Sequence, residues 1–387
     1  MLRHKMIALM AALGVLFGLA PIASAKPRRG KELSEIILDG HKVINVVDDF
    51  LVFWERAKGK TLRLQRRLWA RMVEGKHRDY FERAVYRNAD CSARRKMLDE
   101  FLEQVPARVE AIREFNRTAT DRVTEGVLNF KARFPEYRQQ RDIYVGISLF
   151  RFDGAVRPLQ NDTGVPDTVC LGADALAAYS PEQVRVAIVH ELFHAYHFNY
   201  LFRDASPAQV RAAHMRLMAE GMAIAGAEAV YPYQPHTLYL RFSEGQLDAQ
   251  QRELVFSSKD FLRLIREGAP PEQYERWFAN DPDDETPLRG GYLLGYEVTN
   301  RVLAVYTLPQ MVRMTPAQLR EHAEEQLVSI ATDQVLLLVR QRDGAAGEEF
   351  DCLDIAAAHT GRGKTASKRD RRVTSEFICA AHTAQFQ

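Results

Sequence analysis

Ser180-Pro181-Glu182-Gln183 and, a few residues on, Val189-His190-Glu191-Leu192-Phe193-His194 decide how this chain is read. A hydroxyl at the N-cap, Pro at the first helical position and Gln at the third predict a helix start at Ser180. That helix should run for about 20 residues, to near Phe202. Residues four apart lie on one helical face, so His190 and His194 would present two imidazoles to one metal ion. Glu191 is rotated by one residue and would reach a water at the metal rather than the metal itself. Ile188, Val189, Leu192, Phe193 and Ala195 would bury the helix beside a core. The bland alternative is a core helix with two hydrogen-bonded histidines, since HExxH arises by composition in about one chain of this size in a hundred. The independent helix signal favours the metal reading.

A hydrolytic zinc site needs a third protein ligand and an open position for water. His197 shares the face of His190, but seven residues of helix rise about 10 Å, too far for metal bonds of about 2 Å. His197 is therefore expected to line the cleft or to support a ligand. The pattern HExxHxxGxxH is not met, because His197 stands at the Gly position and Tyr200 at the last His. Ser206-Pro207-Ala208-Gln209 repeats the helix-start grammar and predicts a second helix running to about Val230. On it Ala213, Leu217, Glu220 and Ile224 form a stripe, in which Glu220 is an acid on an apolar face. Such a carboxylate needs a cation or a strong hydrogen-bond partner. Two antiparallel helices would bring it near His194, so Glu220 is the expected third ligand. Glu228 is its rival, His214 lies off the stripe, and a buried pair with an Arg is the structural alternative for Glu220.

HExxH followed by Glu220-Gly221 resembles the gluzincin arrangement of zinc metallopeptidases. Glu220-Gly221-Met222-Ala223 and Gly291-Tyr292-Leu293-Leu294-Gly295-Tyr296 are similar to the EGLA-type and GYxxGY segments of a domain-of-unknown-function family of predicted zinc-dependent proteases. The helical lead-in from Asp49-Phe50 to Trp54 also fits, and the resemblance covers about residues 45–310. It implies a zincin-like core, Zn2+ on His190, His194 and Glu220, and Glu191 as general base. In some gluzincins an acid four residues after the third ligand orients a metal-binding histidine; here that position is Ile224. Zinc on such a set lowers the pKa of bound water and polarises a carbonyl, while Glu191 takes the water proton and passes it to the leaving amine. The oxyanion needs a further donor, for which Tyr292 is the first candidate and Tyr296, His197 and Arg289 follow. Glycine-mediated helix packing with core tyrosines would explain GYxxGY equally well.

Outward from the motif, residues 32–136 read as mostly helical. Ile36, Ile37, Val43, Val46, Val47, Phe50, Leu51 and Trp54 recur at helical spacing, as do Met97, Leu98, Phe101, Leu102, Val105, Val109, Ile112 and Phe115. Ile143 to Phe150 is β-branched and aromatic and reads as a strand, and Thr168-Val169-Cys170-Leu171 as a second. The latter suits an edge strand that pairs with an extended peptide. The polar stretch between them, Asp153 to Asp167, reads as a loop, as does Gly268 to Gly290. A helix is expected over about Gly291 to Tyr306, and Thr315-Pro316-Ala317-Gln318 opens another. The expected fold is mostly α (α+β): a small sheet over the motif helix, with a helical N-terminal part alongside. The regions are 1–25, 26–141, 142–310 and 311–387.

The composition of the 387 residues, 46% hydrophobic and 27% charged, is that of a globular protein and excludes a disordered or multi-span chain. Arg3 to Lys5, the apolar run Met6 to Ala20 and Ala23-Ser24-Ala25 have the three-part layout of a signal peptide over residues 1–25. This predicts an exported protein, periplasmic or secreted, with no stable membrane anchor after cleavage. Residues 55–141 hold 22 Lys+Arg against 13 Asp+Glu, and residues 142–387 hold 24 against 33. Solvated helix faces account for that asymmetry, and no module with stacking aromatics points to nucleic acid. Cys91, Cys170, Cys352 and Cys379 form no zinc pattern; Cys352 and Cys379 could close one loop. The expected partner is a peptide or protein substrate, the alternatives being a binding or scaffold protein on a peptidase-like fold and a zinc amidase acting on a non-peptide amide.

Overall fold

The computed structural model describes residues 38–159, 165–279 and 289–344. The leader, the Cys352–Cys379 pairing and the basic tail lie outside them. The described chain is mostly helical with one four-stranded mixed sheet, an α+β architecture. No helix among the described residues is long and apolar enough to cross a membrane.

The N-terminal part begins with a strand that the sequence reading placed in a helix, β1 (Val43–Asn45). Its β-branched pair is in phase with the helical spacing of residues 46–54, so local periodicity hides it. Asn45 then accepts a bond from the Val47 amide and starts α1 (Val47–Ala57). After α2 (Leu62–Trp69) come π-helical turns at Ala70–Glu74 and Tyr80–Tyr86, then α3 (Cys91–Gln104) and the long α4 (Val109–Arg133). The apolar stripe of α4, Val109, Ile112, Phe115, Ala119, Val123, Val127 and Phe130, is buried as its spacing requires. Trp69 packs edge-on against Phe53 and Phe81 at 5.4 and 5.3 Å between centroids, a geometry aromatic quadrupoles favour.

The sheet contains β2 (Ile143–Gly146), β3 (Gly154–Arg157) and β4 (Thr168–Gly172), in the order β1-β2-β4-β3. β1, β2 and β4 run parallel, and β3 pairs antiparallel with β4. Two expectations are corrected here. The strand expected over Ile143 to Phe150 stops at Gly146, because Leu149 and Phe150 take φ of 55° and 58°. The buried Asp174 carboxylate holds that bend by accepting from Ser148 N, Ser148 Oγ and Phe150 N. Thr168–Leu171 is not an edge strand: Gly154–Arg157, inside the expected loop, pairs with it and takes the edge. Four residues, the first a Gly, between Asp153 and Pro158 give no alternation long enough to read.

Beneath the sheet lies α5 (Pro181–Asp204), packed on β3, β4 and α4. Its capping box forms as expected, Ser180 N donating to Gln183 Oε1 at 2.9 Å and Gln183 N to Ser180 Oγ at 3.2 Å. The box at Ser206 also forms, but its helix lasts only Pro207–Val210. The chain breaks there, with Ala212 in extended conformation, and α6 (Ala213–Val230) starts afresh. α7 (Leu254–Glu267), α8 (Gly290–Leu303) and α9 (Pro316–Gly344) complete the framework, with α8 laid against α6 and α9 against α7. One connected apolar core runs from Leu38 to Ile330.

Candidate metal centre

At one point only the Phe193 ring stands between two helices. A Cβ on Gly226 of α6 would collide with the ring of Phe193 on α5, so the missing side chain lets α6 approach the motif helix. That approach sets Glu220 of α6 against His190 and His194 of α5. His190 Nε2 lies 3.2 Å from Glu220 Oε2, His194 Nε2 lies 3.5 Å from the same oxygen, and the two Nε2 atoms are 3.1 Å apart. All three residues are buried. The donors of a tetrahedral ion bonded at about 2.1 Å stand about 3.4 Å from one another. The three separations match that value, so the donor set fits a metal of zinc's size and ligand preference.

Glu220 also meets its structural alternative. Its other oxygen, Oε1, accepts from Arg216 Nη1 at 2.6 Å, one helical turn earlier. One carboxylate thus serves both, with one oxygen for the arginine and one for the imidazoles. Burial alone would raise the Glu220 carboxyl; Arg216, His194 and His190 outweigh it and hold it well below the usual range. Burial lowers both imidazoles, but the Glu220 bond reverses the direction at His190 and only tempers it at His194.

Glu191, next to His190 in the chain, abuts the sheet edge. A Cβ on Gly154 would stand 2.7 Å from Glu191 Cδ, so the carboxyl fits only because the edge strand has glycine there. Burial pushes its pKa up to about 7, helped by Glu220 and opposed by His190, Arg157 and Arg216. A carboxyl near neutrality is matched to proton transfer at working pH.

The other candidates sort clearly. Tyr292 lies at the margin, its ring 5.5 Å from Phe278 and under the Arg289 guanidinium at 4.6 Å. Burial raises its hydroxyl pKa and the charge of Glu220 adds to this, which places the phenol within the field of the donor set. Tyr296 instead donates to Glu228 at 2.7 Å, which occupies the rival acid away from the histidines. Glycine packing holds too: a Cβ on Gly295 would stand 2.5 Å from the Leu217 carbonyl oxygen of α6. His197, expected in the cleft, is fully buried and bonds no ligand; neither ring nitrogen has a partner among the described residues. Burial lowers it to about 3. His214 sits elsewhere, bonded to the Pro316 carbonyl.

The sequence reading missed Gly154, Arg216, Arg241 and Phe278. Arg216 had a signal, being four residues before Glu220 on the same helical face. Gly154 had none beyond a glycine in a short apolar stretch. No protein-family profile, curated protein or solved structure matches the chain.

Proposed function

We propose that this protein is an exported zinc-dependent metallopeptidase of gluzincin type, with a zincin-like core formed by the sheet edge and α5. The observation that carries the reading is the trio of donor atoms 3.1–3.5 Å apart, with the carboxyl of Glu191 beside it near neutrality. His190, His194 and Glu220 would hold the ion, and two imidazoles with one carboxylate suit zinc. When bound, the metal supplies Lewis acidity, activating water and polarising the scissile carbonyl.

The chain's own groups do the rest. Glu191 takes the proton of the attacking water and delivers it to the departing amine, so one carboxyl serves as base and then acid. β3, the end strand of the sheet among the described residues, would offer its outer side, beside Glu191, to the backbone of an extended peptide. The Tyr292 hydroxyl donates to the oxygen on which negative charge develops. Arg216 keeps one Glu220 oxygen occupied, so the other is aimed at the imidazoles.

Elemental mass spectrometry on the mature wild type and Glu220→Ala tests this. One zinc per wild-type chain, lost in the variant, with peptide hydrolysis abolished in Glu191→Gln, is the expected result. Wild-type protein without stoichiometric divalent metal, after purification with zinc present, would sink the proposal.

A further inference from the structure

A ring of contacts starts from the donor set, and three arginines stand in it. From Glu220 it passes to Arg216, whose guanidinium lies 4.8 Å over the Phe278 ring. Phe278 meets Tyr292 edge-on, and Arg289 lies over Tyr292. Arg289 Nη2 donates to the Leu240 carbonyl at 3.3 Å, and the next residue, Arg241, pairs with Asp153. Gly154 follows Asp153 and abuts Glu191, which closes the ring.

The three arginines of this ring are not equally paired. Arg216 shares Glu220 and Glu275, and Arg241 has Asp153. Arg289 has no carboxylate partner among the described residues. It is stacked on two aromatic rings, Tyr292 at 4.6 Å and Phe242 at 5.6 Å. Stacking uses the face of a guanidinium, so apart from the Nη2 bond to the Leu240 carbonyl its edge donors are left for the oxygens of a carboxylate. Glu220 keeps its Oε1 on Arg216 while Oε2 faces the imidazoles, so Arg289 is the arginine of this ring left without a carboxylate among the described residues.

We propose that the site takes peptides carrying a carboxylate close to the bond that is cut, and that Arg289, backed by Arg241, recognises it. The carboxylate belongs to an acidic side chain or to a C-terminus. The inference rests on the metallopeptidase reading for the reaction, and on the ring alone for the charge of the ligand.

The test is fluorescence anisotropy on mature, zinc-supplemented Glu191→Gln protein. The probes are fluorescein-labelled alanine heptapeptides with a central Asp, Asn or Lys, each as free acid and as amide. A charge-assisted bidentate contact predicts at least about tenfold tighter binding of the acidic probe, weakened by salt. Preference retained in the Asp amide assigns the side chain; preference confined to the free acids assigns the C-terminus. Arg289→Ala should erase the preference and Arg289→Lys keep part of it, with unchanged circular dichroism in both. Equal binding of all six probes, free acids and amides alike, no binding of the acidic ones, or full preference in folded Arg289→Ala would overturn the inference. The parent reading is judged separately: wild-type hydrolysis without acid preference sinks only the inference, and acid-selective binding by a protein that cleaves nothing sinks only the peptidase.

Discussion

Replacing Gly295 by Ala should force α6 and α8 apart. The new methyl would lie 2.5 Å from the Leu217 carbonyl oxygen, 3.2 Å from Gly221 N and 3.4 Å from Gly221 Cα. All three are backbone atoms of α6, so no side chain can swing aside. Restoring ordinary contact requires the helices to separate by about 1 Å, and over-packing of this kind costs about 1–3 kcal/mol, sometimes more. Alanine returns up to about 1 kcal/mol of helix propensity, which leaves a net loss of up to about 2 kcal/mol, and about 1–3 kcal/mol against a control that gains the same propensity. The shift also reaches Glu220, one turn beyond Leu217 on α6. Metal bonds tolerate errors of about 0.2 Å, so zinc affinity should fall by about tenfold or more. Urea unfolding of metal-free protein measures the first effect and competition with a chromophoric chelator the second. Gly245→Ala is the control, since nothing lies within 4 Å of its added methyl. If Gly295→Ala matched that control in stability and bound zinc like wild type, the close approach of α6 and α8 would be refuted.

Gly154→Ala should keep zinc and lose hydrolysis by about a hundredfold, because it displaces Glu191 and not the donors; equal kcat/KM in variant and wild type would contradict the placement of the base. Acid should destabilise the fold through His197 and His214, which burial lowers to about 3 and about 4. The unfolded chain protonates both from about pH 6.5 downward while the folded chain does not, so stability falls with pH by about 1.4 kcal/mol per unit for each, roughly 3–4 kcal/mol in all at pH 5. His214→Gln should remove half of that slope in urea titrations at several pH values, and an unchanged slope would count against it. Asp174→Ala leaves Ser148 N, Ser148 Oγ and Phe150 N without their acceptor, and at about 1–3 kcal/mol per orphaned donor it should destabilise by about 3 kcal/mol or more; calorimetry showing an unshifted Tm would oppose this.

What could be read from the sequence was what neighbours in the chain decide. The box at Ser180 needs only residues three apart, and the pairing of His190 with His194 needs only one turn of helix, so both were legible. Glu220 was legible because an acid on an apolar stripe is a physical anomaly that demands a partner. Its two partners together were not, since only packing shows that one carboxylate meets Arg216 and the imidazoles at once. β1 and β3 escaped for another reason. Each is three or four residues long, and each owes its existence to a strand elsewhere in the chain. The same holds for Ala212: the Ser206 box is sound, yet the helix it starts is cut short after one turn, and nothing in the local spacing announces the break.

The pairing of β1 with β2 has a consequence for how the chain acquires this structure. Val43 and Ile143 are partners separated by a hundred residues. At synthesis rates of about 5–20 residues per second, β1 waits about 5–20 s before its neighbour is made. During that interval its three residues have no strand to pair with, while α1 to α4, built from local contacts, can form at once. The sheet is therefore assembled late and against the entropy of closing a long loop. His190, His194 and Glu220 come later still, on helices that dock against elements already in place. On the proposed function, metal uptake should accordingly be among the last events of folding, and N-terminal truncations that remove β1 should speed unfolding more than they slow refolding, even though they leave every donor atom untouched.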